Sequence, residues 1–218
     1  MGVGLRGDAH VLLEGLQAAR IVGILRAADD EAAVHAAIAS VQGGLQALEI
    51  AFTTPNAAQV IAALRQRFPD SVLLGAGTVM NPKDAQAALE AGAEFLVSPH
   101  FSKSVLEVAL ETGIPYLPGV LTPTEVVSAL ELGVHAVKLF PIGSSGGVSY
   151  LQDLLGPLPS LRAFVTGGIN PPDAPGYLRQ GALAVGLGSK LFPVTAVRNL
   201  DGAVITSATQ LALREALP

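Results

Sequence analysis

Ala136-Val137-Lys138-Leu139-Phe140-Pro141 is an apolar run too short for a helix and closed by a proline, so it reads as a buried strand with a lysine inside it. The chain has only four lysines, and the other three stand in ordinary settings: Lys83 in Asn-Pro-Lys-Asp, Lys103 in Phe-Ser-Lys-Ser and Lys190 in Gly-Ser-Lys-Leu. A lysine is almost never fully buried unless it is paired or chemically employed. Burial penalises the ammonium form and lowers the pKa, and this makes an amine nucleophilic near neutral pH. Two bland explanations compete: a side chain snorkelling from an edge strand, and a structural ion pair with a carboxylate. The rest of the chain has to separate them.

On both sides of this run the same unit recurs. Strand signals lie at 21–25, 47–50, 72–75, 95–97, 115–117, 136–141, 163–165 and 184–186, each unit taking roughly 20 to 27 residues. Helical periodicity follows the first five strands, at 29–41, 57–68, 82–91, 103–112 and 124–132, and an earlier helix is expected over 10–19. Gly92-Ala93, Gly133-Val134 and Gly181-Ala182 have the form of a glycine helix stop leading into the next strand. Strands alternating with helices imply right-handed βαβ units and a parallel sheet. Eight such units in 218 residues fit a closed (β/α)8 TIM barrel with an extra N-terminal helix, one domain over residues 1–218. A doubly wound open sheet is the alternative.

Composition narrows the function. Half the residues are hydrophobic and 14% are charged, which supplies a large core, and nothing resembles a disordered tract. A net charge of −5 argues against nucleic acid or an anionic membrane as partner. There is no cysteine, which excludes disulfides, thiolate catalysis and cysteine-ligated metals. No apolar signal core opens the chain and no apolar segment reaches 18 residues, so a soluble cytoplasmic protein is expected. The four histidines, His10, His35, His100 and His135, show no metal-ligand spacing, and no metal site is expected.

In such a barrel the active site forms at the C-terminal ends of the strands. Each of strands two to eight ends in a polar group or a glycine turn: Glu49, Gly77-Thr78, Ser98-Pro99-His100, Pro118-Gly119, Lys138, Thr166-Gly167-Gly168 and Gly186-Leu187-Gly188-Ser189. Strand parity puts Leu48 and Ile50 on one face and Glu49 on the other, as Val137 and Leu139 oppose Lys138. The aliphatics belong against the helices, so Glu49 and Lys138 can both point into the lumen. The glycine turns after strands seven and eight occupy the place where barrels commonly bind phosphate, with Ser189 adding a hydroxyl at an expected helix start. A lysine and a carboxylate in one phosphate-binding barrel suggest Schiff-base carbonyl chemistry. The amine adds to a ketone, the iminium accepts electrons from a breaking C–C bond, and the carboxylate moves protons.

At these residues the chain resembles the 2-keto-3-deoxy-6-phosphogluconate (KDPG) aldolase family, which includes 4-hydroxy-2-oxoglutarate (KHG) aldolases. The likeness runs from about Ile21 to Pro193. It rests on Leu-Glu-Ile (48–50), Gly-Ala-Gly-Thr-Val (75–79), Val-Ser-Pro-His (97–100), Pro-Gly-Val-Leu-Thr-Pro-Thr-Glu (118–125), Val-Lys-Leu-Phe-Pro (137–141), Thr-Gly-Gly-Ile (166–169) and Gly-Leu-Gly-Ser (186–189). The resemblance implies a class I, metal-free aldolase with no cofactor. It would split the phosphorylated keto acid into pyruvate and glyceraldehyde 3-phosphate, as a homotrimer. Lys138 would form the Schiff base and Glu49 transfer protons. Thr78, Pro99 and Phe140 would line the pyruvate end, and Thr166, Gly167, Gly168, Gly188 and Ser189 the phosphate end. Many members carry an arginine four residues after the catalytic glutamate, where this chain has Thr53. Members with that threonine keep an arginine at the end of strand one, matching Arg26, so Arg26 is expected to supply the carboxylate or phosphate contact, and Arg26 and Thr53 are placed with the pyruvate-end residues. Three readings remain open: preference for 4-hydroxy-2-oxoglutarate or the galactonate epimer, an isomerase or lyase using acid–base chemistry without a Schiff base, and a non-catalytic binding protein.

Overall fold

The strand and helix signals alternate in space as they do along the chain. The computed structural model describes residues 8–217. Its strands are β1 (Ile21–Leu25), β2 (Ala47–Ala51), β3 (Leu73–Gly77), β4 (Leu96–Val97), β5 (Tyr116–Leu117), β6 (Gly119–Val120), β7 (Val137–Leu139), β8 (Ala163–Thr166) and β9 (Ala184–Leu187). They form one parallel sheet in the order β5-β4-β3-β2-β1-β9-β8-β7-β6. The first segment in this order, β5, and the last, β6, are separated in sequence only by Pro118, which has no N–H to give a ladder. They are two halves of one strand, the first paired to β4 and the second to β7. The sheet therefore closes into an eight-position TIM barrel, and the lysine strand β7 is sixth.

Helices α2 (Asp30–Gln42), α3 (Ala57–Arg65), α4 (Pro82–Glu90), α5 (Lys103–Thr112) and α6 (Pro123–Glu131) follow the first five strand positions, within a few residues of the expected spans. The helix expected to reach residue 68 stops at Arg65, and the lysine strand ends at Leu139, with Phe140 and Pro141 in a turn. Local chemistry starts and stops these helices. The Asp29 side chain accepts from Ala32 N–H at 2.8 Å, and Thr122 and Glu125 form a capping box. Gly92, Gly133 and Gly181 adopt φ of +97°, +93° and +94° at the helix-to-strand turns, which is the region glycine enters without strain. Four helices lie beyond the sequence-based expectations: α7 (Gly147–Leu155), α8 (Ala174–Arg179), α9 (Val194–Arg198) and α10 (Gly202–Ala216). The long α10 packs on α2, where the Thr206 hydroxyl donates to Ala39 O at 2.9 Å.

Two apolar layers result. Leu25, Leu48, Ile50, Leu74, Val137 and Leu139 belong to the layer between sheet and helices. Val22, Ile24, Phe95, Val97, Leu117 and Phe164 fill the interior together with Leu13 and Leu16 of α1 (Ala9–Ala19), the N-terminal helix. Glycine makes room for the two large rings, since a Cβ on Gly75 would collide with Phe95 and one on Gly186 would come 2.8 Å from Phe164. The expected parity holds, so the residue between Leu48 and Ile50, and that between Val137 and Leu139, turn inward.

Candidate active site

Lys138 and Glu49 are the two ionisable groups that strand alternation sends into the lumen. Lys138 is 3% exposed, is held by its N–H to Pro118 O at 2.8 Å, and places its amine 5.0 Å from the Phe140 ring centroid. Glu49 is wholly buried, and neither carboxylate oxygen has a hydrogen-bond partner among the described residues. Its carboxyl lies against Gly77, where a Cβ would come 2.8 Å from the carboxyl carbon, so β3 must end in glycine for Glu49 to fit.

Burial dominates the titration of both groups. It pushes Glu49 above the ordinary 4.5, against the attraction of the Lys138 and Arg26 cations. Burial likewise pulls Lys138 below the ordinary 10.5; Glu49 opposes this and Arg26 reinforces it. The pair is thus biased toward a neutral carboxyl and a neutral amine, the forms a proton donor and a nucleophile require. The Arg26 charge acts on both groups.

A cavity of about 280 Å³ opens at the strand ends. Among the expected site residues Arg26, Lys138, Phe140, Thr166, Gly167, Gly168, Gly188 and Ser189 line it. Gly167 and Gly168 have φ of +93° and +74°, and a Cβ on Gly167 would lie 2.9 Å from the Phe140 ring. The carbonyls of Thr166 and Gly167 accept from Ile142 N–H at 3.0 Å and Gly143 N–H at 2.8 Å, so the loops after β7 and β8 are stitched together. Ser189 is not at a helix start. It lies in a turn in which Leu191 and Phe192 N–H bond Gly188 O, and α9 begins only at Val194, after Pro193.

Four expected residues do not line this cavity, the wholly buried Glu49 among them. Thr53 is exposed in the turn after β2. Thr78 and Pro99 are half-buried at the ends of β3 and β4. Thr78 holds φ of +57°, an outlier for a β-branched residue, and Pro99 backs so closely on Gly119 that any Cβ there would strike its carbonyl. The structure also brings in residues that sequence reasoning passed over. Thr54, 3% exposed, accepts Ala27 N–H at 3.2 Å and so ties the Arg26 loop to the loop after β2. Asn170 and Lys190 line the cavity beside the glycine turns. The signal for Lys190 was present, as a cation one residue past Gly-Leu-Gly-Ser. No cluster of three or more histidine, aspartate or glutamate side chains suited to a metal ion occurs among the described residues, and none of their helices is long and apolar enough to cross a membrane.

Known proteins can be set beside this geometry. The family model described as KDPG and KHG aldolase matches residues 12–208. The 2-dehydro-3-deoxy-phosphogluconate aldolase of Treponema pallidum is 36% identical, over 93% of this chain and 96% of its own. The KDPG aldolase of Legionella pneumophila, solved with pyruvate captured as a covalent carbinolamine intermediate, superposes with a TM-score of 0.82 at 30% identity, over 92% of this chain and 97% of that one. The KDPG aldolase of Zymomonas mobilis ZM4, solved with 3-phosphoglycerate, superposes at 0.84 and 33% identity, over 94% and 96%. A family match across most of the chain, joined to a lysine barrel with phosphate-type glycine turns, means that the chain belongs to the KDPG and KHG aldolase family.

Proposed function

We propose that the protein cleaves 2-keto-3-deoxy-6-phosphogluconate to pyruvate and glyceraldehyde 3-phosphate, with Lys138 as the Schiff-base nucleophile and Glu49 as the proton-transfer group. The observation that carries this reading is the buried pair itself. One group is biased toward a free amine, and the other is a carboxyl with neither oxygen committed to a protein hydrogen bond. Leaving a buried carboxyl unpartnered costs stability, on the order of 1–3 kcal/mol. A reacting substrate and its water would supply the missing partners.

The lysine amine adds to the C2 ketone, and the carbonyl oxygen takes a proton to give the carbinolamine. Glu49 donates a proton to the departing hydroxyl, so water leaves and an iminium remains. The Glu49 carboxylate then takes the C4 hydroxyl proton. The C3–C4 bond breaks, its electron pair moves into the iminium to form an enamine, and C4 departs as the aldehyde. Glu49 returns the proton to C3, and hydrolysis of the iminium releases pyruvate and the free amine. The iminium is the electron sink, so the sequence of steps requires no metal or organic cofactor. Arg26 supports the carboxylate end, while Phe140, Thr78 and Pro99 shape the space around the pyruvate carbons. Thr166, Gly167, Gly168, Gly188 and Ser189 support the phosphate end. Thr53 stays outside the cavity, and the Thr54–Ala27 hydrogen bond positions the Arg26 loop in its stead. The family likeness also supports a homotrimer, which light scattering checks against three times the 22.2 kDa chain.

Borohydride reduction in the presence of pyruvate tests the reading. A stable carboxyethyl-lysine is expected on the Lys138 peptide, and a peptide of unchanged mass would overturn the Schiff base. Cleavage rates with the 6-phosphogluconate-derived acid, its galactonate epimer and 4-hydroxy-2-oxoglutarate then rank the substrates, with the first expected to lead.

A further inference from the structure

Two cations stand at the rim of the cavity, after neighbouring strands. Arg26 follows β1, which pairs with β2 at Ile24 and Glu49 on one side and with β9 at Gly23 and Leu187 on the other. Lys190 follows β9, which pairs with β8 at Gly186 and Thr166, so its loop neighbours the Gly167-Gly168 turn. Both residues line the cavity, both are exposed, and neither has a carboxylate within 4.0 Å among the described residues. A compact anion in the glycine cradle would meet backbone dipoles and the Ser189 hydroxyl, and Lys190 is the full positive charge nearest in the chain.

The substrate class proposed above carries two anions, a carboxylate one bond from the reacting C2 and a phosphate four carbons further on. Once C2 is fixed on Lys138, the carboxylate cannot leave the neighbourhood of that lysine, whereas the phosphate is four carbons removed from it. We infer that Lys190 closes over the phosphate held by Gly167, Gly168 and Ser189, which makes Lys190 the residue that selects phosphorylated over unphosphorylated keto acids. A lysine suits this place because its ammonium is a mobile point charge on a flexible stem, able to reach a phosphate whose carbon chain varies in configuration. The inference rests on the aldolase reading, but it concerns a charge remote from the bond being broken.

The test compares the wild-type enzyme with Lys190→Met and Lys190→Arg on the phosphorylated acid and on the same acid lacking phosphate. Removing one charge-assisted contact to phosphate is expected to raise KM for the phosphorylated acid about tenfold, with kcat little changed. KM for the unphosphorylated acid should stay within about twofold, and Lys190→Arg should recover most of the loss. Binding of inorganic phosphate, followed by calorimetry or by 31P line broadening, should weaken in parallel and can be read without turnover. Equal effects on both acids, or phosphate binding unaltered in Lys190→Met, would overturn the inference while pyruvate trapping on Lys138 still succeeds. Failure of that trapping in the wild type would instead overturn the aldolase reading, leaving phosphate binding to decide the role of Lys190.

Discussion

Two glutamates are buried in this barrel, and they are treated in opposite ways. Glu94, just before β4 and 8% exposed, is engaged through one carboxylate oxygen. Its Oε2 accepts from Arg65 Nη1 at 2.7 Å and from Leu74 N–H at 3.0 Å, and the same guanidinium donates to the carbonyls of Val72, Phe68 and Pro69. This set ties α3 to the starts of β3 and β4, the end of the barrel away from the cavity. Glu49 in β2 is more deeply buried and has no hydrogen bond to either oxygen. A buried charge in place for stability has its lone pairs satisfied, whereas one reserved for chemistry keeps them open. Similar burial of the same residue type therefore carries two meanings, and the hydrogen-bond inventory tells them apart.

The largest effect that separates the two ends should come from Lys138→Met. It removes the proposed nucleophile, so cleavage should fall about 10⁴-fold or more and the borohydride-trapped adduct should vanish, with the denaturation midpoint unchanged or raised. Residual cleavage above a hundredth of wild type would break the assignment. Glu49→Gln should come next, with kcat lower by about 10²–10⁴-fold and the folded state no less stable, because an unpartnered buried carboxyl has been neutralised. A stability loss with full activity would reverse the comparison.

Glu94→Gln should do the opposite. Breaking a pair whose side chains are 12% and 11% exposed is expected to cost about 2–4 kcal/mol in chemical denaturation, with kcat of the folded enzyme unchanged. The pH dependence of stability sharpens the contrast. Glu49 is held above 4.5, so the folded state keeps its proton longer; that contribution is full below pH 4.5 and is lost as the pH rises through the raised pKa. Lys138 is held below 10.5, so its contribution is full above pH 10.5 and is lost as the pH falls through the lowered pKa. Glu49→Gln should flatten the decline above pH 4.5, and Lys138→Met should flatten the rise toward 10.5.

Thr54→Val should give the smallest change. Thr54 is a satisfied buried group at the catalytic end, so losing its bond to Ala27 N–H should cost about 1 kcal/mol of stability. If it positions Arg26, KM should also rise a fewfold with kcat held. An unchanged KM would show that the Thr54 bond serves stability alone, as the Arg65–Glu94 pair does.

Much of this organisation could be read without coordinates because it is periodic. Alternating aliphatics in 47–50 and 137–139 announced both the strands and the inward direction of Glu49 and Lys138. Gly92, Gly133 and Gly181 announced the helix stops through a conformation that only glycine adopts freely. The later helices were harder to see. Gly147 opens α7, α8 follows Pro171-Pro172 and itself contains Pro175 and Gly176, and α9 has only five residues, so each offers little of the 3.6-residue pattern. The placement of Ser189 at a helix start failed for the same reason: a glycine turn looks alike whether a helix or another turn follows it.

By itself, the sequence determined the eight-unit alternation, the lumen face of each strand and the residue types able to make a Schiff base, since all of these follow from neighbours a few positions apart. Tertiary structure alone decided which groups meet. Closure at the split strand around Pro118 sets β7 within electrostatic reach of β2, leaves Glu49 without a hydrogen-bond partner and Glu94 with several, turns Thr53 outward while Thr54 anchors the Arg26 loop, and brings Lys190 to the cavity beside the glycine turns. The physical reason is range. Dihedral preferences and alternation act over a few residues, whereas desolvation and charge act through space, and only a closed barrel fixes those distances.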